Sequence, residues 1–222
     1  MFKQAKVDRA LGTLSRTNFN PETYWSILEA MILMHGGKTS RILDSHTTHF
    51  KSSVESATKR AIITSLLSVA DNEILSPEDL ERLKTVTLCR RLNEQHFPMC
   101  LNLMFEQFCN YLFTYHSITT WLTNSIESGN FGEKNQKIMT DLRDGLVKQK
   151  RVLWEQHMQE NAFLMLSTLK LDQIDVKTFL SIVASLSKFL SVVEEFAGTV
   201  AHTLRETFKE HANRFFVQFH RS

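Results

Sequence analysis

Apolar residues recur at steps of three and four along most of the chain, which is the spacing of one buried face on an α-helix. The first such run follows Asn20 and Pro21 and ends at Gly36 and Gly37. Asparagine at an N-cap, proline at the first helical position and glycine after the last turn are common helix boundaries. We therefore predict a short buried helix between Asn20 and Gly36.

The same spacing predicts a series of further helices. A stripe that begins at Thr39 extends to Val69, and Ser76 followed by Pro77 begins another helix, which must end before Pro98. The segment after Pro98 is apolar nearly all round. We expect it to form the central and most buried helix, with Phe108 at the middle of its apolar stripe.

The second part of the chain continues the helical pattern. A helix after Gly132 carries Leu142 and Trp154 and continues to Leu166, although Gly145 weakens this prediction because glycine costs about 1 kcal/mol relative to alanine inside a helix. Asp175 can cap a helix that ends at Gly198. Its predicted core face comprises Val176, Phe179, Val183, Leu186, Leu190 and Val193.

No window alternates between apolar and polar residues with the period of a strand, so the sequence predicts an all-α fold, an elongated multi-helix bundle or helical rod. The clearest loop is Ser128–Gly132. It suggests an N-terminal helical half, 1–128, with a long buried helix at about 98–127, and a C-terminal half, 133–222, unless the two form one continuous domain.

Thr199 can cap a last helix, in which four phenylalanines lie close together. They are Phe208, Phe215, Phe216 and Phe219, and they are the candidate partner surface. Adjacent residues point about 100° apart on a helix, so Phe216 lies away from the main stripe. The cluster is either one wide buried face or an apolar surface that packs on a further part of the chain or another subunit. The stripe still runs at Ser222, which favours a piece of a larger protein.

Charge and composition narrow the classes of partner. The chain has 222 residues, 26 Lys and Arg against 24 Asp and Glu, and a formal charge of +2. That is too little for a general phosphate-binding face, so we expect no nucleic-acid partner. Three cysteines without a paired motif indicate reduced thiols in an intracellular protein.

Candidate chemistry is weak throughout the sequence. The segment Gly37-Lys38-Thr39 resembles the end of a phosphate-binding loop, but Ile32 stands where the first glycine is needed. The pairs His46 with His49 and His96 with Cys100 supply two ligands each, whereas a structural metal site needs three or four. We therefore predict no catalytic residue, no cofactor, no metal and no enzymatic activity.

One stretch, Gln107–Ile126, has no charged residue over the length of a membrane span. Its many Asn, Thr and Ser side chains would need partners in hydrocarbon. We interpret it as a buried helix and predict no transmembrane segment.

Four blocks carry a resemblance to a known family. They are GGKTSRILDSHTTHF (36–50), CLNLMFEQFCNYLFTYHSITTWL (100–122), DLRDGLVKQKRVLWEQHMQ (141–159) and EEFAGTVAHTLRETFKEHANRFFVQFHRS (194–222). In this order they resemble the middle region of the subunits that distinguish the EARP and GARP vesicle-tethering complexes, and the EARP-specific subunit above all.

The resemblance implies a non-enzymatic helical interaction module that acts in endosomal recycling and retrograde transport. Its implied partners are the subunits shared by GARP and EARP together with trafficking factors, including SNARE proteins. Its implied location is cytoplasmic, peripheral on recycling endosomes and trans-Golgi membranes. The family's N-terminal coiled coil for assembly is not in this chain. Alternatives are a stand-alone helical adaptor and the GARP-specific subunit, which acts in endosome-to-Golgi transport.

Overall fold

The computed structural model describes residues 19–68, 76–170 and 174–220, and every regular element in these ranges is helical, which confirms the all-α prediction. A π-helical turn, Trp154–Met158, joins two of the helices. In chain order the helices are α1 (Pro21–His35), α2 (Thr39–Ser68), α3 (Pro77–Arg82), α4 (Thr85–Cys89), α5 (Phe97–Glu127), α6 (Glu133–Leu153), α7 (Gln159–Ser167), α8 (Val176–Ala197) and α9 (His202–Phe219).

The predicted N-caps of α1 and α3 are confirmed. The side-chain oxygen of Asn20 accepts a hydrogen bond from the backbone N–H of Thr23 at 2.8 Å. Ser76 Oγ accepts from the backbone N–H of Asp79 at 3.2 Å and donates to the carboxylate of the same residue at 2.8 Å. These bonds satisfy donors that the first turn of a helix leaves unpaired.

The predicted boundaries of α8 and the end of α1 are also confirmed. Asp175 Oδ1 accepts from the backbone N–H of Thr178 at 2.6 Å, and this bond lowers the pKa of the Asp175 carboxyl. Gly36 and Gly198 follow α1 and α8 in the left-handed conformation, with φ of 59° and 66°. A side chain at these φ values would be strained, so glycine fixes where both helices end.

Two local predictions are wrong. Thr199 does not cap the last helix, because α9 begins at His202 and the residue before it, Ala201, has no capping side chain. Val176 is 41% exposed and lies outside the core. The buried face of α8 includes Ile182 and Phe189, which the prediction left out. The observed face is therefore rotated about the helix axis relative to the predicted one, and Val176 lies outside it.

Contacts between Cα atoms group the chain into two compact units. Unit 1 comprises Met1–Ser53 and Asn110–Leu153, and unit 2 comprises Val54–Cys109 and Trp154–Ser222. The Ser128–Gly132 loop lies within unit 1. Grouping by contacts does not test whether 1–128 and 133–222 fold independently, so the two predicted halves stay a prediction.

The core of unit 1 joins α1 and α2 to the later parts of α5 and α6. Phe50 of α2 meets the ring of Tyr115 of α5 edge-on, with centroids 6.1 Å apart. The Tyr115 hydroxyl donates a hydrogen bond to the backbone carbonyl of Leu146 in α6 at 2.7 Å. Since both groups are buried, this bond fixes α5 against α6 while it satisfies a polar atom in the core.

Helices α2 and α6 approach each other closely at Gly145. A Cβ atom built on Gly145 would lie 2.9 Å from Cδ2 and 3.2 Å from Cγ of Leu43, and closer still to Cδ1. Glycine stands inside this helix because the side chain of Leu43 occupies the space that a methyl group would need. Two residues of the same contact region, Thr47 and Gln149, are hydrogen-bonded through their side chains at 3.2 Å.

Because of this contact, we expect Gly145→Ala to destabilise the protein although alanine has the higher helix propensity. Gly145→Ala should favour the helix by about 1 kcal/mol but force Leu43 aside, which costs about 1–3 kcal/mol, so we expect a net loss of stability in urea unfolding. In a Leu43→Ala background the clash is absent and the same substitution should stabilise the protein. Stabilisation in the wild-type background would show that the close approach has no energetic weight.

The core of unit 2 is built around Phe189 of α8. Its ring stacks on Phe105 of α5 with centroids 4.2 Å apart and planes 6° from parallel, and it meets Trp154 edge-on at 5.9 Å. Phe108 and Leu186 are 0% and 1% exposed, which confirms the predicted centres of the α5 and α8 stripes.

One described helix, α8, is long and apolar enough to cross a membrane, and a third of its most apolar stretch is buried in the structure. Core helices of soluble proteins share this length and composition. The uncharged stretch Gln107–Ile126 lies in α5, where Phe108, Leu112 and Leu122 are buried, as the sequence predicted.

Candidate interaction surface

Three of the four phenylalanines of α9 contact Phe179 of α8, which the sequence predicted only as a core residue. The ring of Phe179 stacks on Phe215 at 4.2 Å and 8°, and on Phe208 at 6.0 Å and 11°. Phe216 meets the same ring edge-on at 6.0 Å. Phe179 is 2% exposed, so it anchors α9 to α8 at the end of α9 that carries the aromatic cluster.

The cluster divides into a buried part and an exposed part. Phe215 is 6% exposed and Phe208 is half-buried, whereas Phe216 is 51% exposed and Phe219 is 55% exposed. Phe219 stacks on Phe215 at 6.3 Å and therefore extends the cluster outward. We call Phe216 and Phe219 the exposed aromatic pair. One side of the cluster is therefore core and the other is exposed, and packing of a partner on the exposed side stays a prediction.

At the opposite end of α9, Glu194 of α8 holds the start of the helix. Its carboxylate accepts two hydrogen bonds from the guanidinium of Arg205, each 2.7 Å long, and one from the backbone N–H of Ala201 at 2.9 Å. An acid near the C-terminal end of a helix opposes the helix dipole, so a cationic partner offsets its cost. The structure identifies that partner as Arg205.

The charges at this corner stabilise each other. The hydrogen bonds from Arg205 lower the pKa of the Glu194 carboxyl, and the bond from Ala201 adds to the effect. The same contact raises the pKa of the Arg205 guanidinium. A bidentate pair of this kind is stronger and more directional than a single contact between point charges. We call Glu194, Arg205 and the Ala201 N–H the corner contact.

The candidate metal pairs do not converge. His46 Nε2 lies 3.2 Å from the Tyr24 hydroxyl, and His49 Nε2 lies 3.2 Å from Ser53 Oγ. His96 Nδ1 accepts from the backbone N–H of Asn93 at 3.2 Å. Within the described ranges, no group of three or more His, Cys, Asp or Glu side chains is placed to hold a metal ion.

The cysteines lie in apolar surroundings. Cys89 and Cys100 are buried, and burial raises the pKa of their thiols to about 11 and about 12. Burial also raises the pKa of the half-buried Cys109 thiol. Such thiols carry little thiolate at neutral pH, so they are poor nucleophiles.

The segment Gly37-Lys38-Thr39 forms the turn between α1 and α2. The backbone N–H of Gly37 donates to the carbonyl of Ile32 at 2.9 Å, and Lys38 N–H donates to His35 at 3.2 Å. These amides complete the end of α1 and do not surround an anion, in contrast to a phosphate-binding loop.

Three of the four resemblance blocks meet in unit 1. The block 36–50 contacts the block 141–159 through Leu43 and Gly145, and it contacts 100–122 through Phe50 and Tyr115. The hydrogen bond from Tyr115 to Leu146 joins the block 100–122 to the block 141–159. The fourth block, 194–222, contains both the corner contact and the exposed aromatic pair. The pattern that carries the resemblance is therefore a set of packing contacts and one partly exposed helix.

Comparison with known proteins identifies a family and a relative of this chain. The family described as "Vacuolar-sorting protein 54, of GARP complex" matches residues 2–121. Syndetin from Rattus norvegicus is 20% identical over 229 residues, an alignment that covers 98% of this chain and 23% of that protein. No solved structure matches the chain. Because the family match spans more than half of the chain, the protein belongs to the family of vacuolar-sorting protein 54, of the GARP complex.

Proposed function

We propose that this chain is a non-enzymatic helical interaction module of a multisubunit vesicle-tethering complex. The family match supports this function, and the alignment with syndetin favours the EARP-type subunit in endosomal recycling over the GARP-type subunit in endosome-to-Golgi transport. Its location would then be cytoplasmic and peripheral, on recycling endosomes and trans-Golgi membranes, with attachment through the complex.

The exposed aromatic pair is the surface that we propose for a protein partner. Phe216 and Phe219 expose more than half of their side chains although they sit beside a stacked core of Phe179 and Phe215. Aromatic side chains are enriched among the residues that dominate protein interfaces, and a rigid base reduces the entropy that binding must overcome. The proposed partners are the subunits that GARP and EARP share and their trafficking factors.

The test uses two baits in affinity purification with mass spectrometry. We expect the full-length gene product to recover the shared tethering subunits, and the 222-residue chain alone to recover them weakly or not at all, since the family assembles through an N-terminal coiled coil. Failure of the full-length bait to recover any tethering subunit would refute the proposal. Recovery of a different, reproducible protein set would favour the stand-alone adaptor.

Phe216→Asp tests the surface itself in the full-length bait. Loss of a desolvated aromatic at an interface costs about 2 kcal/mol or more, so recovery of the partner that packs there should fall. The fold should survive, because an exposed side chain contributes little burial. Leu33→Asp is the matched control, since Leu33 is 83% exposed on α1 and lies in unit 1. If Phe216→Asp instead unfolds the chain, the pair is ordinary core.

A further inference from the structure

We propose that the corner contact between Glu194, Arg205 and Ala201 sets the direction of α9 and so holds the aromatic cluster at the far end of that helix. Glu194 and Arg205 are thus positioning residues for the surface proposed above. This positioning role is a property of the helix itself and is tested without any partner. Its failure would leave the tethering function untouched.

The short segment between α8 and α9 supplies no side-chain cap of its own. Only Gly198–Ala201 separate α8 from α9, and Gly198 is in the left-handed conformation. The residue before α9, Ala201, offers no side-chain cap. From the preceding helix, the Glu194 carboxylate accepts a hydrogen bond from the backbone N–H of Ala201 and binds Arg205, in the first turn of α9, with its two oxygens. One side chain therefore fixes both the start of α9 and the side of the helix that faces α8.

The length of α9 turns a small change at the corner into a large one at the aromatic end. The helix has 18 residues, and at 1.5 Å per residue it is about 27 Å long. A tilt of about 5° at the corner would move its far end by roughly 2 Å. The rings of Phe179 and Phe215 are 4.2 Å apart and nearly parallel, so a shift of that size would break their stacking.

Apolar packing is the competing explanation for the direction of α9. Leu204, His211 and Phe215 are buried on this helix, and α9 also contacts α7. If these contacts alone orient α9, loss of the corner contact should loosen only the first turn. The two explanations differ in how far along α9 the effect extends.

Hydrogen–deuterium exchange of the whole 222-residue chain separates them. In Glu194→Ala we expect amide exchange to accelerate roughly fivefold or more along α9 as far as Phe215, as well as in its first turn. Glu195→Ala is the matched control, because Glu195 is the exposed neighbour on the same helix and should leave exchange unchanged. Amides of α1, in unit 1, serve as the internal reference.

Acceleration confined to the first turn of α9, or no acceleration, would overturn the proposal. Faster exchange in α1 as well would show a global loss of stability in place of a directional role. Arg205→Lys decides the case if Glu194→Ala unfolds the chain, since lysine keeps the charge but cannot form the bidentate contact. In Arg205→Lys, the amides with faster exchange should reach as far along α9 as in Glu194→Ala, but their exchange rates should rise less.

Discussion

Replacing Phe189 with alanine is expected to lower the free energy of unfolding by about 3–5 kcal/mol, measured by urea unfolding. Phe189 is 1% exposed and contacts the rings of Phe105, Phe108 and Trp154. Truncation removes a large apolar surface from the core and leaves a cavity lined by three rigid rings, which cannot easily collapse. Loss of the stacked geometry with Phe105 adds to this cost.

Leu180→Ala is the control for Phe189→Ala on the same helix. Leu180 is 59% exposed, and leucine and alanine both favour helices, so its truncation should change stability by less than about 0.5 kcal/mol. A similar loss for the two variants would mean that the assigned faces of α8 are incorrect. Phe108→Ala and Leu186→Ala depend on the same faces and should each lower the free energy of unfolding by about 2–5 kcal/mol.

Helix boundaries were predictable because the residues that set them act locally. Asn20, Ser76 and Asp175 cap their helices through a backbone amide three residues away. Gly36 and Gly198 adopt a conformation that other residues avoid. Each of these effects lies within a few residues of sequence, so the order and type of the long helices followed from the sequence.

The errors lie where a distant group decides the outcome. Thr199 is a good cap by composition, but α9 begins only at His202, and the carboxylate of Glu194 binds the backbone N–H of Ala201 just before it. The helix through Gly145 was predicted correctly, but the reason for glycine there was not, because it lies in Leu43, which fills the space beside it. Neither partner can be identified without knowing which helices pack together.

The candidate surface shows the same division between local and distant causes. The angle between adjacent residues on a helix was enough to separate Phe216 from the buried stripe. The sequence did not identify Phe179 as the centre of the cluster, because a phenylalanine on a heptad-like seam reads only as core. Its position opposite the end of α9 depends on how α9 packs on α8.

Acidification is expected to destabilise the protein through His46. Its side chain is 7% exposed, and burial, with a smaller contribution from the charge of His49, lowers its pKa from 6.5 to about 4. Between these values the unfolded chain binds a proton that the folded protein excludes. The stabilising effect of neutral His46 is therefore complete above pH 6.5 and is lost as the pH falls toward 4. The full loss amounts to roughly 3 kcal/mol.

Urea unfolding at a series of pH values measures this loss, and His46→Gln isolates it. Glutamine does not titrate, and its amide can stay within hydrogen-bond reach of the Tyr24 hydroxyl, which lies 3.2 Å from His46 Nε2. Burial also lowers the pKa of His211, so some dependence on pH should remain in the variant. The difference in slope between the two proteins below pH 6.5 belongs to His46. Parallel slopes would mean that the folded protein takes up a proton at His46 as readily as the unfolded chain, and that this part of the α1–α2 contact admits water.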